Sequence, residues 1–290
     1  MNPAPAASPL NCLALDIGGT KAEAAVVSPS GRILRRDRTE VRAAGDDLFG
    51  AIVRLLDVVR AGEEVSSLGV ACAGPMQGRG DWVSPLNIPV WRQFPLRERL
   101  AEATHLRVDV DGDVRALALA EGRFGAGQGL RNFASLVVST GIGGALVLDG
   151  RLIDGDTGNS GHIGHLNVVP EGRACSCGSR GCLEAEVSGW AITEITGQSP
   201  EHADEALRRR TAQLVGRAVG TLASVLDFRH CFVAGSVALG FGDHFFTTAT
   251  ASAREMATMH FTRGLEIRPS GLGPDGPILG ASCVARRDEP

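Results

Sequence analysis

CLALDIGGTKAEAAVV, residues 12 to 27, is an apolar run, a polar glycine-rich corner and a second apolar run. Short apolar runs flanking such a corner read as two strands. GRILRRDRTEV continues the strand pattern, so the chain opens as an antiparallel meander. Residues 47 to 60, DLFGAIVRLLDVVR, then place Leu48, Ile52, Leu55, Leu56 and Val59 at helical spacing. SSLGVACAGPM reads as a buried strand that breaks at Gly74-Pro75, a helix is expected over 95 to 104, and LRVDVDGDV runs as a strand into the helix VRALALAEGRF.

The second half repeats the plan. FASLVVSTGIGGALVLDGRLI is again strand, glycine corner and strand, with an Asp149-Gly150 hairpin signal. A helix is expected over about 204 to 228, with Leu207, Leu214, Val215, Ala218, Val219, Leu222, Val225 and Leu226 on one face. CFVAGSV is a short strand and GPILGASCVARR a closing helix. Two glycine-cornered hairpins about 120 residues apart predict two structurally similar mixed α/β lobes.

Composition narrows the function. The 290 residues and 30.2 kDa fit two domains or one large one, and 43% hydrophobic with 21% charged residues is ordinary globular usage. The longest apolar runs, such as Cys12 to Leu15, fall far short of the roughly 18 residues that span a bilayer. Thirty-three acidic against 29 basic residues give a net charge of −4, so nucleic acid is not an expected partner. MNPAPAASPL has neither a basic n-region nor an apolar h-region, and the expectation is a short disordered lead-in on a cytoplasmic protein. Seven cysteines, an odd number, argue against a disulfide framework and favour metal for any that cluster.

Three do cluster, in Cys175-Ser-Cys177-Gly-Ser-Arg-Gly-Cys182, with His165 ten residues before Cys175. Three thiolates and one imidazole are the four N/S ligands of a closed tetrahedral Zn²⁺ site. With no open position, such a zinc is structural and braces the loop carrying His162, His165 and Glu184. Cys12, Cys72, Cys231 and Cys283 lie in apolar segments and are expected in the core.

In the first corner, Asp16-Ile-Gly18-Gly19-Thr20-Lys21, glycines allow backbone amides to approach an anion, Thr20 can donate to a phosphate oxygen, and Asp16 can hold a hydrated Mg²⁺. One such corner is equally an ordinary turn. The second, Ser139-Thr140-Gly141-Ile-Gly143-Gly144, has the same design, and two in matching lobes look like a clamp on a polyphosphate. No GxxxxGK[ST] occurs and no GxGxxG follows a strand, which disfavours P-loop and Rossmann folds. Asp109-Val-Asp111-Gly112-Asp113 starts like an EF-hand loop, but Ala120 occupies the twelfth position, so calcium is rejected. Asp113 is either a helix N-cap or, facing a phosphate clamp, a base for an attacking hydroxyl.

Together these residues closely resemble the ROK family of bacterial sugar kinases and related repressors, within the actin-like ATPase superfamily. The similarity runs from LALDIGGTKAEAAVV to GPILGASCVA, and its most specific part is GNSGHIGHLNVVPEGRACSCGSRGCLEAEVSG. The resemblance implies an α/β actin-like ATPase (ribonuclease H-like) fold of two lobes around a deep cleft. A smaller lobe, 1–112, would be completed by a C-terminal helix at about 277–290, and a larger lobe, 113–276, would carry the zinc loop. It implies Asp113 as catalytic base; Asn87 of SPLNIPVW, Gly74, Gly112, His162, His165 and Glu184 on the substrate side; and His165, Cys175, Cys177 and Cys182 as zinc ligands. For the nucleotide it implies Asp16, Gly18, Gly19, Thr20, Lys21, Thr140, Gly141, Gly143, Gly235 and Ser236, the last two beside the adenosine.

Two positions depart from the family pattern. Gly112 stands where the family has Asn beside the catalytic Asp, and His162 replaces the Glu of GEIGH, giving GHIGH. A neutral imidazole can donate or accept one hydrogen bond, whereas a carboxylate only accepts. The expected activity is transfer of the γ-phosphoryl group of ATP to the 6-hydroxyl of a hexose, glucose first and N-acetylmannosamine as the alternative, with Mg²⁺, structural Zn²⁺ and a homodimer implied. The competing class is a non-catalytic sugar-sensing regulator, whose N-terminal helix-turn-helix of roughly 60 to 80 residues is not expected where 15 residues precede Asp16.

Overall fold

The structure, a computed structural model, describes residues 10–85 and 87–287. The lead-in before Leu10, Leu86 of SPLNIPVW and the last three residues of the closing segment lie outside the described residues. The chain forms two compact units, one ending at Phe124 and taking in Asp154–Asn159 and the chain from Leu272, the other made of Gly125–Ile153 and Ser160–Gly271.

The first unit is built on a five-stranded sheet in the order Ile33–Glu40, Lys21–Val27, Asn11–Ile17, Val65–Cys72, Arg107–Gly112. The first three are the antiparallel meander, and the last two run parallel to Asn11–Ile17. The helix Leu48–Arg60 buries the five residues that periodicity singles out, and Leu96–Thr104 fills the expected second helix. The closing helix Gly276–Val284 packs on this sheet, where Gly69 leaves room for the Ala281 carbonyl, and on the helix Asp113–Phe124, where Gly280 meets the Ala116 backbone. That packing explains why the first unit runs on to Phe124 and does not stop at residue 112: the helix that Asp113 begins belongs to the first sheet's layer.

The second unit repeats the topology. Its sheet order is Arg151–Leu152, Ile142–Leu148, Phe133–Val138, His230–Ala234, Glu266–Pro269, again a three-stranded meander followed by two parallel strands. Asp149 and Gly150 both have positive φ, as a tight two-residue hairpin requires. The helix Glu205–Leu226 starts on Asp204, whose side chain accepts from Leu207 N at 2.8 Å. Thr211, Ala212, Leu214, Val215, Ala218, Val219 and Ala223 are buried, but Val225, expected on that face, is 75% exposed. It stands at the edge of the apolar face in the helix's last turn, just before Asp227 turns left-handed. Gly216 and Gly220 let this helix approach the backbone of a second one, Asp243–Met256, which the sequence reading left unassigned together with the edge strand Glu266–Pro269. Among the described residues no helix is long and apolar enough to cross a membrane.

Candidate active site

In the first unit the parallel register aligns Ile17 with Cys72 and Cys72 with Gly112. Asp16, near the carboxyl end of one parallel strand, and Asp113, just past the carboxyl end of another, therefore stand on either side of Val65–Cys72, at the edge where open α/β sheets bind ligands. Burial, then the neighbouring Asp113, then Glu23 push the Asp16 carboxyl up to about 7, against a smaller opposing pull from Lys21. The Cys72 thiol between them is fully buried and held far above the usual thiol range by burial and by both carboxylates.

The corner after Asp16 is closed by Gly18 N donating to Lys21 O at 3.0 Å. Any Cβ on Gly19 would lie 2.6 Å from Asn87 Nδ2, so glycine at this position lets the corner and the exposed Asn87 side chain meet. Thr20 is exposed, and the Lys21 ammonium reaches Glu23 at 3.3 Å. Gly74 precedes a cis peptide to Pro75 at the end of its strand. Asp113 is exposed in the first turn of its helix, and its Oδ1 accepts from Val114 N at 2.8 Å. Gly112 does not need to be glycine: the nearest atoms to a Cβ there belong to the Arg115 side chain, at 3.4 Å and beyond, ordinary contacts.

The ground beneath Asp113 is an ion network that the sequence reading missed. Arg115 Nε lies 2.5 Å from Asp111 Oδ1 and its Nη2 2.5 Å from Asp154 Oδ1. Arg287 Nη1 adds a 3.0 Å contact to Asp111 Oδ2 and its Nη2 pairs with Asp154. These hydrogen bonds draw the Asp154 carboxyl below its usual range even though partial burial raises it.

In the second unit the corner Ser139–Ile142 is held from several sides. Ser139 N donates to Gly141 O at 3.0 Å, and Ser139 Oγ lies 3.1 Å from Ser236 Oγ, which brings the AGSV segment to the corner. Gly235 has φ +101° and presses on the Val138 backbone, so only glycine fits. Thr140 is exposed, and Gly143 lies in the outgoing strand. The Glu184 carboxylate accepts from Ile142 N at 2.8 Å.

The cysteine segment folds as a knuckle in which Cys175 N donates to Ser179 O and Gly178 N to Cys175 O. It brings together ligand atoms of His165, Cys175, Cys177 and Cys182, all within 4.8 Å of one another, and this cluster could hold a metal ion. Cys175 Sγ lies 3.6 Å from His165 Nδ1 and Cys177 Sγ lies 3.7 Å from Cys182 Sγ, the latter far too long for a disulfide. Burial pushes the Cys182 thiol up to about 12, whereas a hydrogen bond from the Ser179 backbone lowers that of Cys177. The other four cysteines are buried and unpaired by disulfides. The His162 ring stacks on His165 with 6.0 Å between centroids and is exposed. Behind the knuckle, buried Glu186 accepts from Arg173 N at 2.6 Å and from Arg210 Nη2 at 2.5 Å, a brace that no spacing in the sequence signals.

Two sheets of one topology, each opening into a glycine corner at the end of a strand, place the chain in the actin-like ATPase class of α/β folds. The ROK family model matches residues 12–288, and the chain belongs to that family. It is 30% identical over 312 residues to a glucokinase of Thermotoga maritima, covering 96% of this chain and 98% of that one. It is 33% identical over 254 residues to an N-acetylmannosamine kinase of Pasteurella multocida, covering 80% and 84%. The 34% identity to a Streptomyces coelicolor glucokinase extends over 199 residues, 67% of this chain, and the chain spans 63% of that relative's length. Among solved structures, a ROK hexokinase from Thermus thermophilus superposes with a TM-score of 0.86 at 31% identity, covering 96% of this chain and 99% of that one. A ROK glucokinase from Streptomyces griseus in complex with glucose and AMPPNP gives 0.80 at 28%, with the same coverage.

Proposed function

We propose that the protein is a hexose kinase that transfers the γ-phosphoryl group of ATP to the 6-hydroxyl of glucose. The observation that carries the reading is Asp113, exposed at the start of its helix and beside a second carboxyl, Asp16, that is raised to about 7. Phosphoryl transfer needs positioning and charge neutralisation more than covalent chemistry. Asp113 supplies what remains, an acceptor for the proton of the attacking hydroxyl. Asn87 orients the sugar, and the amides of each glycine corner offer donors to phosphate oxygens.

Asp16 fits a divalent cation, because a carboxyl whose ionisation is opposed by burial and a like charge is relieved by one. Mg²⁺ bound there supplies neutralisation of phosphate charge. The cysteine knuckle fits Zn²⁺. Ligand bonds of about 2.3 Å in a tetrahedron put sulfurs about 3.7 to 3.8 Å apart, and Cys177 and Cys182 stand at 3.7 Å. With four protein ligands the zinc is structural, and the residues it steadies are those of the loop and of the helix that starts at Leu183.

N-acetylmannosamine is the second reading, supported by the similarity to the Pasteurella multocida N-acetylmannosamine kinase. A non-catalytic regulator is disfavoured, because a sensor needs the sugar contacts but not Asp113. ADP release with ATP and Mg²⁺, measured across glucose, mannose, N-acetylglucosamine and N-acetylmannosamine, tests the proposal. A rate on glucose above the other three is expected, a preference for N-acetylmannosamine favours the second reading, and silence on all four refutes both.

A further inference from the structure

The run from Cys182 to Trp190 joins the cysteine knuckle to the second glycine corner. Glu184 follows Cys182 by two residues, and its Oε2 both accepts the Ile142 N–H at 2.8 Å and lies 2.8 Å from where a Cβ on Gly141 would stand. Further along the run, Gly189 N donates to Ser139 O at 2.8 Å and Trp190 N to Thr140 O at 3.0 Å. Three residues of the corner, 139, 140 and 142, are therefore held from one segment. The two later bonds are backbone to backbone, the first needing glycine at 189, where a Cβ would lie 2.9 Å from Ser139 O. The Glu184 bond is the one made by a side chain, and it fixes the point where the corner turns into the strand Ile142–Leu148.

We propose that Glu184 is a positioning residue for the nucleotide-side corner in addition to its place among the sugar contacts. The inference rests on the reading that the corner binds a nucleotide phosphate. A carboxylate near that corner has two opposite effects. It repels a phosphate at long range, and it holds the amides in the geometry the phosphate needs. The Ile142 bond, at 2.8 Å, has ordinary length for an N–H to a carboxylate, and on this proposal its ordering of the corner outweighs the repulsion. A sugar hydroxyl donating to the other oxygen, Oε1, leaves the Ile142 bond in place and immobilises the carboxylate. Hexose and nucleotide then tighten each other's binding, and reciprocity requires the same factor in both directions.

The test is equilibrium binding of AMPPNP with Mg²⁺ by calorimetry, with no sugar and with saturating glucose, for the unmodified protein, Glu184→Ala and Glu184→Gln. Without sugar, Glu184→Ala is expected to weaken AMPPNP about tenfold, the scale of one hydrogen bond to a charged group. Glu184→Gln keeps a carbonyl acceptor and is expected within about threefold of the unmodified protein. Glucose is expected to tighten AMPPNP about fivefold in the unmodified protein and not in Glu184→Ala. A residue that only touched sugar would leave the sugar-free affinity unmoved. Sugar-free affinity of a folded Glu184→Ala within twofold of the unmodified protein, or tighter, overturns the inference alone. An unmodified protein that binds no AMPPNP overturns the functional reading and this inference with it. If Glu184→Ala does not fold, Glu184→Asp replaces it: its side chain is one methylene shorter, loses the reach to Ile142 N, and is held to the same criterion.

Discussion

Asp16→Asn separates what Asp16 does for the site from what it costs the fold. In the folded protein burial and Asp113 hold the Asp16 carboxyl at about 7, against a usual value of 3.8. A group raised on folding binds an extra proton in the folded state between these two values. Its contribution to stability is fully present below about pH 4 and is lost as pH rises through about 7. About three units at 1.36 kcal/mol each amount to about 4 kcal/mol at pH 8 in the absence of a cation. At roughly 2 to 4 °C per kcal/mol, that is a difference of about 8 to 16 °C. Thermal melts with no added divalent cation, at pH 4.5, 6, 7 and 8, should therefore show Asp16→Asn close to the unmodified protein at the acid end and progressively more stable toward pH 8. Added Mg²⁺ should raise the unmodified protein and not the variant. Parallel melting curves at all four values would refute the burial of an ionisable Asp16 beside Asp113.

Gly112→Asn is accommodated, since the nearest atoms to a Cβ there belong to the Arg115 side chain, at 3.4 Å and beyond; steady-state kinetics should show a lower KM for glucose with kcat within about twofold. Arg115→Met leaves Asp111, 5% exposed, without its closest cation but still paired with Arg287, and chemical denaturation should register a loss of about 1 to 3 kcal/mol. Gly235→Ala forces a Cβ against the Val138 backbone at φ +101°, and melting should show a large drop, of several kcal/mol, with poor nucleotide binding in what remains folded. Removal of metal by a strong chelator should release about one zinc per chain and lower the melting temperature; a purified, folded protein without zinc would refute the assignment of His165, Cys175, Cys177 and Cys182.

The elements that could be read from sequence are those whose signal is local. The two glycine corners interrupt apolar runs, the Leu48–Arg60 helix shows its buried face at helical spacing, and the cysteines of the knuckle stand within eight residues. The helix Asp243–Met256 escaped because its buried positions are Phe245, Ala249 and Ala253, and two alanines give little hydropathy contrast. Lys21 and Glu23 are two apart in a strand and so share a face, a pairing that could have been read and was not. The ion network could not be, because Asp154 and Arg287 join the local pair Asp111 and Arg115 from segments distant in the chain. The same holds for Glu184 against Ile142 and for Glu186 against Arg210. The division of the chain at Phe124 was hidden for a related reason: the helix Asp113–Phe124 is assigned to its unit by Gly276 and Gly280, more than 150 residues later, and not by its own sequence.

The central claim is that Asp113 is the base of a hexose kinase, and the most direct measurement is sugar-dependent ADP release by the unmodified protein and by Asp113→Asn, with glucose affinity measured on both. The expected result is a clear kcat on glucose that falls by about a hundredfold or more in Asp113→Asn, while the glucose Kd stays within about threefold. Near-normal kcat in Asp113→Asn would contradict the account.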